Sequence, residues 1–148
     1  MEKETIENIF NFLKEKEGKE IPEAWLDSRE QLKLIKELET HPDGIQYKHN
    51  GNLDLNDSTI RKLPNDLYVD KALILENCKQ LTKLPNNLYV GGYLDLEGCE
   101  QLTKLPDDLF VGRNLFIYNT PLANKYTDEE IRDIVASKGG TLIGQIVR

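Results

Sequence analysis

One sequence motif occurs three times in residues 51–122 and then begins a fourth time. It joins a Leu-x-Leu segment, a Leu-Pro step and a segment of leucine, an aromatic residue and valine. The Leu-Pro steps begin at positions 63, 84 and 105, so the interval between them is constant. A fixed period of about 21 residues indicates a solenoid, in which each coil buries its apolar side chains only against the next coil. We therefore predict that the Leu-x-Leu segments stack as a short parallel strand ladder.

Helical segments are predicted before the repeats. Residues 3–16 carry apolar side chains on one helical face. A short helical turn is predicted at residues 22–26, and Ser28 with Gln31 resembles a capping box that opens a second helix ending near Thr40. The inner face of that helix would carry Leu32, Ile35 and Leu38. Ile45 and Tyr47 are then predicted to form an edge strand.

A helix and a strand are predicted after the repeats. Thr127 and Glu130 form a second capping box, and the helix that they open is expected to end at Lys138. Residues 141–147 are predicted to be one strand that covers the last coil. The predicted architecture is thus a single α/β domain over residues 1–148, with an N-terminal helical cap (1–44), repeats (45–122) and a C-terminal helix–strand cap (123–148). Because both ends carry a cap, we expect a complete small protein.

Composition excludes some classes of partner. The formal net charge is −7, and none of the three parts of the chain has more basic than acidic residues. Nucleic-acid binding relies on Lys and Arg, so it is not expected. No apolar run has membrane-spanning length, and the polar start does not resemble a signal peptide. With only two cysteines, the chain is expected in a reducing cytoplasm, with secretion by a signal-less route left open.

The repeats resemble those of a known family. The pattern Leu94-x-Leu96-x-x-Cys99-x-x-Leu102 is similar to the cysteine form of leucine-rich repeats. The Leu-Pro-x-x-Leu half is similar to the short repeats, of about 21 residues, in bacterial and bacteriophage proteins. This resemblance implies a leucine-rich-repeat solenoid with protein recognition on a concave strand face. In a phage-encoded protein it would place the chain in the host cytosol. We do not expect the ligase activity of the large bacterial effectors here, because the sequence is very short and shows no catalytic domain after the repeats.

Cysteine and histidine side chains offer little chemistry. Cys78 and Cys99 occupy one repeat position, so they are expected to stack as buried free thiols, although a disulfide is conceivable at the strand spacing. His41 and His49 have no further Cys or His at a ligand spacing. We predict no catalytic residue, no cofactor and no metal site.

The outward positions of the ladder provide the candidate site. Acidic side chains there would attract a basic patch on a partner protein, and apolar side chains would supply buried anchors. The open alternative is a solvated surface without a partner. The predicted partner-binding residues are Asp54, Ile74, Glu76, Tyr93, Asp95, Glu97, Phe116 and Tyr118.

The preferred function is a protein-interaction module that acts through this face. The alternative is a structural or assembly component, for example of a phage particle, that makes contacts through its caps and edges. An enzyme is the least favoured class, because no set of residues meets the nucleophile–base or metal criteria. The sequence does not predict the oligomeric state.

Overall fold

A computed structural model describes residues 23–148, with side chains from Arg29 onward. The chain divides into two compact units, with the boundary between Glu37 and Leu38. The predicted helix at residues 3–16 lies outside the described residues, and the single-domain assignment stays a prediction. In the described part, helix α1 spans Glu23–Thr40 without interruption.

Helix α1 corrects one expectation. Ser28 lies inside the helix, so the predicted capping box at Ser28 and Gln31 is wrong. Residues 23–40 contain no Gly or Pro, and most of them favour helix, so nothing in the segment forces Ser28 into the extended conformation of a cap. Ile35 and Leu38 are buried as predicted, and Leu32 is half-buried.

The second unit is a β-solenoid of about three turns that follow the predicted repeat spacing. Each full repeat contributes one strand to each of two parallel sheets, and strands before the first repeat and after the third bring each sheet to five strands. The first sheet consists of β1 (Tyr47–His49), β3 (Leu67–Val69), β5 (Tyr89–Val90), β7 (Phe110–Val111) and β9 (Thr141–Leu142), in this order. The second sheet consists of β2 (Leu53–Asp54), β4 (Leu73–Ile74), β6 (Leu94–Asp95), β8 (Leu115–Phe116) and β10 (Ile146–Val147), in this order.

The leucine register of the second sheet is confirmed. Leu73 pairs with Leu94, and Leu94 pairs with Leu115, on neighbouring parallel strands. All three are buried, as are the leucines of the Leu-Pro steps. Burying one leucine is worth roughly 1.5–3 kcal/mol, so a column of leucines in register supplies much of the cohesion between coils.

The first sheet was not predicted. Its strands come from the segments of leucine, an aromatic residue and valine, in which leucine and valine point inward and the aromatic residue points outward. The predicted edge strand before the repeats forms at Tyr47–His49 and pairs with β3. Ile45 precedes that strand and is 57% exposed, so it takes no part in the core.

At two of the corners of each coil the backbone adopts positive φ. At the first corner stand Asp57, Asn77, Gly98 and Asn119, and at the second stand Asp66, Asn87, Asp108 and Gly139. Asn, Asp and Gly are the residues that tolerate this left-handed conformation. Asn87 Nδ2 also donates to Asp66 Oδ1 at 2.8 Å, which ties successive corners together.

The C-terminal segment forms two strands where one was predicted. Leu142 pairs with Val111 in the first sheet, and Ile146 pairs with Leu115 in the second. The strands are separate because the chain must round a corner between the sheets. At that corner, a Cβ on Gly144 would meet the Arg113 backbone at 2.3 Å.

The last turn is longer than the repeats. Val90 pairs with Val111, which lies one repeat period further along the chain, whereas Val111 pairs with Leu142, which lies well beyond one period. The additional chain forms helices α2 (Pro121–Lys125) and α3 (Asp128–Ser137). The Thr127–Glu130 capping box that opens α3 is confirmed. No helix within residues 23–148 combines the length and apolar character needed to cross a membrane.

Candidate functional site

The predicted partner-binding residues lie together on the outer side of the second sheet. The pairings align Asp54 with Ile74, Ile74 with Asp95 and Asp95 with Phe116. We call this surface the acidic face and define it by Asp54, Ile74, Glu76, Tyr93, Asp95, Glu97, Phe116 and Tyr118. The inward residues of the same strands are buried leucines, so strand alternation fixes the outward direction of this set.

Three carboxylates form the centre of the acidic face. One oxygen each from Glu76, Asp95 and Glu97 lies within 4.8 Å of the others, and all three side chains are half-buried. The pKa of Glu76 is raised above its ordinary value, first because its surroundings remove water from it and then because Glu97 and Asp95 repel its charge. The second sheet thus holds three like charges close together, and a positively charged group near them would relieve their repulsion.

Local turns fix two of the aspartates. Asp54 Oδ1 accepts a hydrogen bond from the Asn56 backbone N–H at 3.0 Å, and Asp95 Oδ1 accepts one from Glu97 N–H at 2.9 Å. Each aspartate thereby stabilises the corner that follows its strand. Only one oxygen of each carboxylate is used in this bond, so these side chains are held in place while keeping an acceptor.

Aromatic side chains lie beside the carboxylates. Tyr93 and Phe116 pack edge to face, with ring centroids 5.6 Å apart and an interplanar angle of 81°. Tyr93 is 37% exposed and Tyr118 is 38% exposed, while Phe116 is half-buried. Exposed aromatic rings next to charged groups are typical of the residues that anchor protein interfaces.

Two neighbours complete the description of the acidic face. Ala72, just before β4, is buried, and its N–H donates to Asn52 Oδ1 at 3.0 Å. Val147 of β10 pairs with Phe116, as expected for a C-terminal strand that covers the last coil.

Sequence reasoning missed a second outward column on the first sheet. The rings of Tyr68, Tyr89 and Phe110 stack in parallel, with centroid separations of 4.4 and 4.6 Å. Lys48 Nζ lies 5.3 Å from the Tyr68 ring centroid and extends the column. We call these three rings the aromatic stack. The signal was present in the sequence, because an aromatic residue recurs between leucine and valine once in every repeat.

Both cysteines are buried and free, as predicted. Cys78 Sγ donates to Leu55 O at 3.1 Å, and Cys99 Sγ donates to Leu75 O at 3.0 Å. Burial raises the pKa of the Cys99 thiol to about 12 and also raises that of Cys78. Burial therefore disfavours the thiolate form at both positions, and the two thiol hydrogen bonds join neighbouring coils.

The histidines bond to nearby backbone carbonyls. His41 Nε2 lies 2.7 Å from Ile45 O, and His49 Nε2 lies 2.9 Å from Asn52 O. These contacts are typical of histidines in turns.

Oxygen ligands such as Glu76, Asp95 and Glu97 suit Ca²⁺, but three ligands on an open face leave most of its coordination shell to water. The expectation of no metal site stays a prediction.

The chain was compared with known protein families, curated proteins and solved structures. No protein-family model, no curated protein and no solved structure matches this chain.

Proposed function

We propose that the chain is a binding module that docks a partner protein carrying a basic patch on the acidic face. The observation that carries the proposal is the close approach of three carboxylates next to exposed aromatic rings. A Lys or Arg side chain would relieve the repulsion that raises the pKa of Glu76. Tyr93 and Tyr118 would provide the apolar contacts around it.

We also propose that the repeats are leucine-rich repeats of the bacterial or bacteriophage type, and two features support the leucine-rich-repeat assignment. The inward leucines are in register, and the cysteine position of the repeat is buried at a turn. We further propose that the helical segments that precede and follow the repeats in the sequence act as caps. We also infer a non-enzymatic role, because an open face does not exclude water from reacting groups. The net charge of −7 supports a protein partner over nucleic acid.

The decisive variant reverses charge at the centre of the acidic face. Glu76→Lys/Glu97→Lys replaces two negative charges by two positive ones, so the matched control makes the same change on α3, as Glu129→Lys/Asp133→Lys. Both control residues are exposed and lie outside the acidic face. Each protein is used to capture partners from a lysate of its source cell, and the bound proteins are quantified by mass spectrometry.

We expect at least one protein that binds the wild type and the control but is lost with the acidic-face variant. Its affinity should fall at least about tenfold for the double reversal and for Tyr93→Ala, because interface anchors are commonly worth about 1–2 kcal/mol or more. If no captured protein distinguishes the acidic-face variant from the α3 control, the acidic face is not the binding surface.

A further inference from the structure

The carbonyls of each coil in the first sheet are satisfied by the next coil. A strand residue of one coil accepts a hydrogen bond from the N–H of the following coil. These bonds join Asp70 N to His49 O, Gly91 N to Val69 O, Gly112 N to Val90 O and Ile143 N to Val111 O, at 2.9–3.0 Å.

A second series of bonds follows the adjacent corner. The corner carbonyls of Gly51, Lys71 and Gly92 accept from the N–H groups of Lys71, Gly92 and Arg113, at 2.9–3.2 Å. Carbonyls of the strand and of the adjacent corner thus accept hydrogen bonds from the coil that follows.

In the described part of the chain, β9 is the last strand of the first sheet, so no following coil satisfies the carbonyls of Leu142 and Gly144. The Arg132 side chain on α3 takes that place. Its Nη1 donates to Leu142 O at 3.0 Å, and its Nη2 donates to Gly144 O. Leu142 is the register equivalent of Val111, and Gly144 that of Arg113. The planar guanidinium fork thus takes the place of the N–H groups that a further coil would direct at these two carbonyls.

We propose that the outer edge of β9 is a self-association surface for a second copy of this chain, which Arg132 keeps closed. A second β9 strand is self-complementary in antiparallel pairing, because Leu142 presents both its N–H and its C=O on the open side. Thr141 and Ile143 donate their N–H groups toward β7, so the N–H and C=O of Leu142, which lies between them, point to the opposite side. Antiparallel pairing of two β9 strands creates a twofold axis between the copies. Ile143, which is 63% exposed beside the edge, would pack against the second copy near this axis.

The test removes the guanidinium and measures oligomeric state. Arg132→Ala is compared with Arg113→Ala, which changes the net charge equally at another exposed arginine. Light scattering after size exclusion is measured over a concentration series, and circular dichroism verifies folding. We expect Arg132→Ala to form a folded dimer, with self-association at least about tenfold stronger than in the wild type and the Arg113→Ala control.

A second variant tests whether the edge itself makes the contact. Leu142→Pro removes the N–H that a new strand needs but none of the bonds to β7, so Arg132→Ala/Leu142→Pro should return to monomer. A folded, monomeric Arg132→Ala protein would overturn the proposal, as would a dimer that persists with Leu142→Pro. If Arg132→Ala does not fold, Arg132→Lys, which keeps the charge but loses the fork, is judged by the same two criteria.

Discussion

The two sheets share one register but carry opposite chemistry on their outer sides. The first sheet presents the aromatic stack, whose ring separations of 4.4 and 4.6 Å nearly match the spacing between neighbouring strands. The second sheet presents carboxylates that approach within 4.8 Å and repel one another. Because the sheets align equivalent positions of successive repeats, attractive contacts between rings accumulate along one column and repulsive contacts between carboxylates accumulate along the other. The aromatic stack therefore stabilises the packing of the coils. The repulsion among the carboxylates of the acidic face destabilises it, and a binding role would explain why these charges are present.

The largest difference is expected between two phenylalanines on the same coil. Phe110 ends the aromatic stack, whereas Phe116 makes one edge-to-face contact on the acidic face. Phe110→Ala should lower the free energy of unfolding by about 2–3 kcal/mol, and Phe116→Ala by about 1 kcal/mol. Urea denaturation of both variants measures the difference. Equal losses would show that the two outer columns contribute alike, contrary to the comparison.

A smaller effect is expected at the corner beside the aromatic stack. Asn87 has a φ of 58° and bonds to Asp66 through its amide. Asn87→Ala should cost about 1–2 kcal/mol, because alanine is strained at positive φ and the hydrogen bond is lost. Asn87→Gly removes the strain and should cost about half as much. A glycine variant as unstable as the alanine variant would assign the whole effect to the hydrogen bond.

The smallest effect is expected at Glu76. A carboxyl group whose pKa is raised in the folded state destabilises the fold when it is ionised. Glu76→Gln should therefore give a small rise in melting temperature at neutral pH. The rise should shrink as the pH falls through the raised pKa and vanish below the ordinary carboxyl pKa, at about pH 4. A stabilisation that is independent of pH would contradict charge repulsion as its cause.

The sequence predicted one sheet and missed the other for a physical reason. Leu73 and Leu94 stand in a Leu-x-Leu pattern whose burial is unambiguous, so their register could be read from the period alone. The strand around Tyr68 has its leucine and valine inward and an aromatic residue outward, so an apolar outward residue hid the alternation. The Ser28 capping box failed because a local motif competes with the propensity of a whole helix.

The alignment of Asp54, Ile74, Asp95 and Phe116 on neighbouring strands could be read from the sequence, because a fixed period converts sequence position into column position. The distance between the carboxylates of the acidic face and the edge-to-face geometry of Tyr93 and Phe116 depend on side-chain conformation, which the period does not determine. The role of Arg132 was equally hidden, since it lies on a helix that interrupts the repeat.

The elongated final turn has a practical consequence. A longer stretch of chain there performs the pairing that a single repeat performs elsewhere, and the strand partners remain aligned. Loop length and strand alignment are thus uncoupled at this bend, where α2 and α3 already form a tolerated insertion. A reporter peptide or an epitope tag grafted between Tyr126 and Thr127 should leave the coils intact, whereas the same graft inside a regular repeat would disrupt their stacking.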